Sequence, residues 1–431
     1  MKDQIIYVCN ECGGESFKWS GKCDECGAWN SLKEIREPKS ISSNSSKVEP
    51  ATVHNFSEMK FDDIKRVITG FSEFDRVLGG GIVPGSVVLL GGDPGIGKST
   101  LALQLAVNLN DVCYVSGEES VEQVSLRYHR IKKQKKIESN NIIAENNFES
   151  IEKTILKIKP KIIIIDSIQT MYIPSFPSAQ GSVVQVRENA IRIVRLAKKN
   201  NIAAIIIGHV TKDGDIAGPR ILEHMVDVVL YLEGERYHDL RILRGLKNRF
   251  GDSSEIGIFR MESSGLIELP NPSLELLSER VGGAGSVVTS TIEGTRPLLV
   301  EVQALVNQSL YGYPRRTTSG FDLNRLNLLL AILKKFNFNL NSHDVYINIV
   351  GGFKLREPAV DLAVAVAIAS ALKNIEIDRL LCVYGELGLS GEIRKVSYQN
   401  KREVEAKRLG YETLPSTRSL NDLLKTLFSK D

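Results

Sequence analysis

Short apolar runs alternate with helical patterns through the middle of the chain. Five runs have the aliphatic and β-branched composition of buried strands, and they cover Val87–Leu90, Val112–Ser116, Lys161–Asp166, Ala203–Gly208 and Val228–Leu232. Between them lie segments with apolar residues at helical spacing, at 101–109, 148–158 and 182–199. Alternating strands and helices indicate parallel βαβ units. We therefore predict an α/β domain with a parallel sheet over residues 61–272.

The pattern changes after Pro270-Asn271-Pro272, a segment typical of a domain boundary. Strand patterns follow at 285–291, 298–305, 345–350 and 381–385, with helical patterns at 325–336, 358–372 and 400–409. Because strands and helices are mixed without strict alternation, we predict an α+β domain over residues 273–431.

Two Cys-x2-Cys pairs stand near the start of the chain, Cys9 with Cys12 and Cys23 with Cys26. Two such pairs complete a tetrahedral four-thiolate Zn²⁺ site, whose closed shell makes it structural. The segment 1–35 is too small to fold on apolar burial alone, so metal binding supplies folding energy. A redox Cys-x-x-Cys motif is the alternative, but it needs one pair within an α/β domain.

The only two tryptophans, Trp19 and Trp29, lie in the same cysteine-rich segment. We expect them to form its small core rather than a platform on which bases stack. Residues 36–60 are rich in Ser, Asn, Lys and Pro and are predicted to be a linker.

Composition places the chain among soluble globular proteins. It has 431 residues, 42% of them apolar and 25% charged, with a net charge of +3. That length predicts two or three domains. The near-neutral charge neither requires nor excludes a nucleic-acid partner. No apolar run reaches membrane-spanning length, and Met1-Lys2-Asp3 does not begin a signal peptide, so we expect a cytoplasmic protein without a membrane partner.

A phosphate-binding loop of the form G-x4-G-K-[ST] follows the first strand of the α/β pattern and precedes a helix. Its backbone N–H groups would surround the phosphates of ATP, Lys98 would reach the β- and γ-phosphates, and Ser99 would bind Mg²⁺. The predicted nucleotide-binding residues are Gly92, Asp93, Pro94, Gly95, Ile96, Gly97, Lys98, Ser99 and Thr100.

Polar residues end three of the predicted strands, where ligands of parallel sheets bind. Glu118 and Glu119 follow Val112–Ser116, in position to orient an attacking water. Asp166 ends an aliphatic strand and would help to hold Mg²⁺; a helix N-cap is the alternative. His209 follows Ala203–Gly208 and is either a γ-phosphate sensor or an ordinary surface histidine.

Several motifs together resemble the bacterial RadA/Sms family of DNA repair proteins, which has a RecA-type ATPase core. The motifs are the four-cysteine ribbon, the phosphate loop, Tyr114-Val-Ser-Gly-Glu-Glu-Ser120 and Lys247-Asn-Arg-Phe-Gly251, the last being the most distinctive. The resemblance covers nearly the whole chain.

By position, the resemblance implies that Glu118 is the catalytic glutamate and that Glu119 is a weaker candidate. It also implies that His209 couples the γ-phosphate to a DNA-binding loop at 210–222. Lys212 and Arg220 in that loop carry cations that suit DNA phosphates, although a solvated loop is the alternative.

Lys247 and Arg249 are two cations beside an aromatic residue in a strand-and-turn pattern. They could insert into the ATP site of a neighbouring subunit, or they could equally bind single-stranded DNA. An exposed basic turn without a function is the third interpretation.

The α+β domain resembles the proteolytic domain of Lon at Ile349–Gly352, at the helix 358–372 and at Gly385–Glu392. Lon-type hydrolysis needs a serine nucleophile at the start of that helix. Here Ala359 occupies the position, so Arg394 and Lys395 have no nucleophile to activate. We predict a non-proteolytic scaffold.

The resemblance therefore implies a DNA-dependent ATPase that performs helicase-like branch migration in recombinational repair. The implied partners are single-stranded and branched DNA, a RecA-type recombinase and five further copies of the chain in a hexameric ring. An ATP-dependent protease and an ATP-gated scaffold similar to KaiC are the alternatives.

The four-thiolate interpretation predicts about one zinc ion per chain. Metal analysis of purified protein checks this number. A metal-free protein with a stably folded N-terminal segment would contradict the interpretation.

Overall fold

A computed structural model describes residues 4–9, 14–25, 27–37, 55, 65–131, 139–176, 178–208, 219–234, 239–309, 312–352, 354–414 and 417–428. The chain divides into two compact units. The first comprises 1–233, 242–253 and 261–266, and the second 234–241, 254–260 and 267–431. None of the helices in these described ranges is long and apolar enough to cross a membrane.

The N-terminal ribbon has three strands, β1 (Gln4–Cys9), β2 (Glu15–Ser16) and β3 (Leu32–Glu37), in the antiparallel order β2-β1-β3. Cys9, Cys23 and Leu32 are buried together, with Tyr7 packed against them. The thiol of Cys9 donates a hydrogen bond to Ser31 Oγ at 3.1 Å. Two of the four predicted zinc ligands thus lie within the small core of the ribbon.

The prediction that Trp19 and Trp29 form this core is wrong. Their exposed fractions are 61% and 73%. A ribbon of such short strands has too little interior for an indole ring, and its buried space is taken by thiols and Leu32. Trp29 instead lies under the ammonium of Lys22, which is 5.8 Å from the ring centroid.

A nine-stranded sheet follows, in the order β12-β11-β10-β9-β4-β8-β7-β5-β6. Strands β4 to β9 pair in parallel, and β10 is antiparallel to β9. The strands are β4 (Val87–Gly92), β5 (Val112–Ser116), β6 (Asn141–Ala144), β7 (Ile162–Asp166), β8 (Ala203–Ile207), β9 (Val228–Glu233), β10 (Leu240–Asn248), β11 (Ile256–Glu262) and β12 (Gly265–Glu268).

All five predicted strands of the α/β region are present within two residues of their predicted ends. The central ones are buried along their whole length, which explains their aliphatic composition. Strand β6 had no such signal, because it is an edge strand with mostly exposed residues.

The helices between these strands are α1 (Ser72–Val77), α2 (Lys98–Asn108), α3 (Val121–Ile131), α4 (Phe148–Ile158), α5 (Val183–Asn200) and α6 (Pro219–Met225). Side-chain N-caps define where α4 and α5 begin. Asn147 accepts a hydrogen bond from the Glu149 N–H before α4, and Ser182 accepts one from the Gln185 N–H before α5. Apolar faces of α4 and α5 pack with β4, β5, β7 and β8 in one core.

The second unit contains a six-stranded mixed sheet in the order β15-β16-β14-β13-β17-β20 and a short β18-β19 pair. Its elements are α7 (Pro272–Leu277), β13 (Ser286–Glu293), β14 (Arg296–Gln308), β15 (Arg316–Ser319), α8 (Leu323–Lys335), β16 (His343–Ile349), α9 (Asp361–Lys373), β17 (Leu381–Cys382), β18 (Glu386–Leu387), β19 (Ile393–Arg394), α10 (Gln399–Arg408), β20 (Glu412–Thr413) and α11 (Leu420–Phe428). The α+β prediction is confirmed, and α9 is buried over 361–370 as its alanine-rich sequence suggested.

An ion pair joins the buried Arg402 to the partly buried Glu357 in the second unit. The Arg402 side chain is fully buried and donates to the Ser290 carbonyl at 2.5 Å and to the Ser397 carbonyl at 3.0 Å. Glu357 also accepts from the Ile292 N–H at 2.9 Å. These bonds connect α10, β13 and the turn before α9, so this polar cluster is part of the packing of the unit.

We expect Arg402→Ala to destabilise the second unit by about 3–5 kcal/mol, because it removes a fully buried guanidinium together with its bonds to Glu357 and to the Ser290 and Ser397 carbonyls. Urea denaturation of the full chain, followed by circular dichroism, measures the effect. The control is Arg379→Ala, which removes an exposed pair with Glu376 and should leave the midpoint unchanged. Equal midpoints for the two variants would contradict this role for Arg402.

Candidate nucleotide site

The backbone conformation of the loop between β4 and α2 requires glycine at two positions. Gly92 and Gly97 have φ of 146° and 116°, in the left-handed region. A Cβ at Gly92 would lie 2.5 Å from the Leu232 carbonyl oxygen, and one at Gly97 would lie 2.5 Å from Met261 Cε. The fold therefore admits only glycine at both positions without rearrangement.

Lys98 lies inside this loop with its side chain turned onto the backbone. Its ammonium donates to the carbonyl oxygens of Gly92 and Asp93 at 2.8 and 2.9 Å. Burial lowers the pKa of Lys98 to about 8, while the charges of Asp166, Asp93 and Glu118 act in the opposite direction. The first turn of α2 has no acidic residue and no side-chain cap, so its N–H groups are suited to an anion.

Ser99 and Asp166 meet at the carboxyl ends of β4 and β7. The Ser99 hydroxyl donates to Asp166 Oδ1 at 3.1 Å, and the Tyr114 hydroxyl donates to Oδ2 at 2.5 Å. A hydroxyl and a carboxylate are ligands that Mg²⁺ prefers, so this pair fits the expected ion. The alternative role of Asp166 as an N-cap finds no support, since Ser167 occupies the N-cap position of the following turn.

The two glutamates after β5 have different partners. Glu118 accepts a hydrogen bond from Ser167 Oγ at 2.8 Å, next to Asp166. Glu119 forms a salt bridge with Arg127 of α3. Ser116 fixes the backbone of Glu119: its hydroxyl donates to the Glu119 carbonyl at 2.8 Å and accepts from the Glu119 N–H at 3.1 Å. The arrangement therefore favours Glu118 over Glu119 as the residue that contacts the attacking water.

Lys247 contacts the C-terminal end of α6. Its ammonium donates to the carbonyl oxygens of Glu223 and Val226 at 2.7 and 2.8 Å, and at 3.4 Å to that of His224. Burial and the neighbouring Arg249 lower the pKa of Lys247. Helix ends leave such carbonyls without intrahelical partners, so Lys247 serves as a cap. The sequence pattern did not predict that Lys247 caps α6.

Arg249 pairs with Asp227, at 3.3 Å between its guanidinium and Oδ1. Asp227 is buried, and its Oδ2 accepts from the Val87 N–H at the start of β4 at 3.1 Å. The Arg249 side chain is 54% exposed and can still reach an external anion. The two tasks that the sequence left open for this pair both remain predictions.

Several predicted residues lie outside the described part of the chain. They are Cys12, Cys26, His209 and Lys212, together with the side chain of Arg220. Among the residues that are described, no group of three potential metal ligands occurs. Cys9 and Cys23 are the two predicted zinc ligands whose surroundings are known.

Ala359 in the second unit has a buried side chain, 1% exposed. Its carbonyl oxygen accepts the Gly385 N–H at 2.7 Å. Ser370, which lies farther along α9, donates to the Ile375 carbonyl and accepts from the Gly285 N–H. Neither residue offers the free hydroxyl that Lon-type hydrolysis requires.

Family models match three parts of the chain. An AAA domain model matches residues 54–215, a rubredoxin metal binding domain model matches 7–34, and a model of subunit ChlI of Mg-chelatase matches 324–416. The DNA repair protein RadA of Listeria monocytogenes is 49% identical over 418 residues, which cover 95% of this chain and 91% of that protein. The chain belongs to the RadA family of DNA repair proteins.

Other RadA proteins show the same extent of similarity. The one from Bacillus subtilis is 46% identical over 424 residues, 96% of this chain and 92% of its own. Among solved structures, an ATPase domain has a TM-score of 0.42 at 17% identity, and the match covers 48% of this chain and 92% of that chain. A KaiC-like protein of Pyrococcus horikoshii has a TM-score of 0.39 at 22% identity, covering 48% of this chain and 100% of its own.

The predicted fold class is confirmed for this RadA family member. It has a zinc ribbon, a RecA-like P-loop ATPase core with a large parallel sheet, and a ChlI- or Lon-like α+β domain. Family membership and the ATPase domain support an ATP-hydrolysing enzyme of DNA repair. The roles of individual site residues stay predictions.

We expect Glu118→Gln to reduce the turnover of ATP by at least about 100-fold, because the amide cannot accept the proton of the attacking water. Glu119→Gln is the matched control, and its turnover should stay near that of the unchanged protein, since Glu119 binds Arg127. Both variants should bind a fluorescent ATP analogue normally. A larger loss of turnover in Glu119→Gln would reverse the assignment.

Proposed function

We propose that this protein is a DNA-dependent ATPase that drives helicase-like branch migration of recombination intermediates, alongside a RecA-type recombinase. The observation that carries the proposal is the convergence of Lys98, Ser99, Glu118 and Asp166 at one edge of the parallel sheet. Family membership supplies the setting of DNA repair. We further propose a cytoplasmic homo-hexamer that acts on single-stranded and branched DNA.

Each residue at this edge has a distinct task. On binding ATP, the ammonium of Lys98 exchanges the loop carbonyls for phosphate oxygens, and backbone N–H groups of residues 95–100 bind further phosphate oxygens. Ser99 and Asp166 would hold Mg²⁺, which would neutralise part of the negative charge that develops on the phosphates. Glu118 orients the attacking water and accepts its proton, while Ser167 fixes one of its carboxylate oxygens.

The same elements offer a path from ATP to DNA. Strand β8 pairs with β4, and the Gly208 N–H donates to the Leu90 carbonyl at 3.0 Å, just before the phosphate loop. The segment with His209 and Lys212 comes next, and α6 with Arg220 follows it. Lys247 binds the far end of α6. A change at the γ-phosphate would thus reach the proposed DNA-binding loop through His209, while Lys247 holds the end of α6 on the far side of that loop.

The remaining assignments are proposals from the sequence pattern. The domains are a ribbon at 1–35, a linker at 36–60, the ATPase at 61–272 and a non-proteolytic Lon-like domain at 273–431. Zinc is held by Cys9, Cys12, Cys23 and Cys26. Lys247 and Arg249 stabilise the ATP transition state in a neighbouring subunit or bind single-stranded DNA.

We expect single-stranded DNA to accelerate phosphate release from ATP, and the salt dependence of its binding to be steep, because phosphate contacts release counterions.

Lys98→Ala should lower hydrolysis by at least about 100-fold while the chain stays folded. Phosphate release is measured with and without DNA, and migration with labelled joint molecules.

Three outcomes would contradict this function. They are unchanged hydrolysis in Lys98→Ala, a hydrolysis rate that DNA does not alter, and joint molecules that migrate equally without ATP. Casein hydrolysis that is lost on changing one serine would instead favour the protease.

A further inference from the structure

Strand β5 is aliphatic around one buried tyrosine. Tyr114 is 3% exposed and lies between Cys113 and Val115, both fully buried. A phenylalanine would fill the same space, whereas a buried phenol hydroxyl also needs a hydrogen-bond partner. Asp166 Oδ2 is an acceptor of this hydroxyl, at 2.5 Å.

The sheet register places the phenol beside that carboxylate. In the parallel pair of β5 and β7, Ser116 is level with Asp166, and Tyr114 is level with Ile164. Residues two apart on a strand share a face, so Tyr114 projects on the same face as Asp166, one step earlier. The tyrosine side chain is long enough to bring its hydroxyl from position 114 to the Asp166 carboxylate. A shorter polar side chain at position 114 would not reach it.

The two oxygens of Asp166 are thereby given different partners. Oδ2 accepts from Tyr114, and Oδ1 accepts from Ser99 at 3.1 Å. A free carboxylate rotates about its last bond and can exchange its oxygens. The bond from Tyr114 opposes this rotation in a residue that is only 8% exposed.

Tyr114 is the donor in this pair, since a carboxylate oxygen only accepts. Burial raises the pKa of the Tyr114 hydroxyl well above its ordinary value, and the negative charge of Asp166 raises that pKa further.

We propose that Tyr114 is a positioning residue for Mg²⁺, whose hydroxyl orients the Asp166 carboxylate so that the other oxygen faces Ser99. This inference rests on the proposed ATPase function, since it takes Ser99 and Asp166 to be the metal-binding pair. Partners that orient a metal ligand commonly contribute about 10-fold to 100-fold in metal affinity.

Tyr114→Phe removes the hydroxyl and keeps the ring. We expect the Mg²⁺ concentration for half-maximal ATP hydrolysis to rise by about 10-fold, with turnover at saturating Mg²⁺ close to that of the unchanged protein. Independently of activity, the affinity for Mn²⁺ in the presence of a non-hydrolysable ATP analogue, measured by electron paramagnetic resonance, should fall by a similar factor. Binding of the analogue without metal should not change.

Tyr172→Phe is the control, because it removes a phenol hydroxyl from the same unit and should leave the metal affinity unchanged. A lower melting temperature of Tyr114→Phe with unaltered Mn²⁺ affinity would show a merely structural role and overturn the proposal. If Tyr114→Phe does not fold, 4-fluorophenylalanine at position 114 fills the space of the hydroxyl but cannot donate to Asp166. A weaker Mn²⁺ affinity is then expected, and an unchanged one would overturn the proposal.

These outcomes distinguish failure of the proposed role of Tyr114 from failure of the proposed ATPase function. If the unchanged protein hydrolyses ATP and Tyr114→Phe binds Mn²⁺ normally, only the role of Tyr114 fails. If the unchanged protein does not hydrolyse ATP with any metal or DNA, the proposed function fails first.

Discussion

The parallel pairing of β4, β5, β7 and β8 is the constraint on which the candidate site depends. Parallel strands end at the same edge of a sheet, so the residues that follow each strand are brought together although they are far apart in sequence. The Asp166 carboxylate lies where these ends meet, with Ser99 after β4 on one oxygen and Tyr114 of β5 on the other. The glycines of the phosphate loop and the turn with Glu118 complete a site that one strand alone cannot form.

The second unit shows a different use of buried polar groups. Where a Lon-type enzyme needs a serine, this chain has the buried methyl of Ala359. Two carboxylates near Ala359 in the sequence have arginine partners: the partly buried Glu357 pairs with Arg402, and the buried Asp361 pairs with Arg325. Burial raises the pKa of Asp361 to about 6, while Arg325 acts in the opposite direction. Both carboxylates therefore have an arginine of the same unit as partner.

The sequence predicted the parts of the fold that depend on local pattern. Strand β7 was clear from Ile162–Ile165, and α4 from the spacing of Phe148, Ile151 and Ile155. Exposed or very short elements such as β6 and β17 were missed or misjudged, because their residues carry no continuous apolar signal. The placement of Trp19 and Trp29 was wrong because hydrophobicity alone does not show how much interior a ribbon possesses. The partners of Lys247 and Tyr114 depend on tertiary contacts across tens of residues, which spacing does not encode.

The cap on α6 has a consequence for how its lysine can be used. An ammonium has three N–H bonds, and Lys247 directs its donors to three carbonyl oxygens at the helix end. A phosphate outside the subunit can bind this ammonium only by displacing at least one of those carbonyls. Binding of an external anion therefore competes with capping of α6, and the 3.4 Å contact with the His224 carbonyl is the weakest of the three. The end of α6 would lose one of these hydrogen bonds when Lys247 binds the anion.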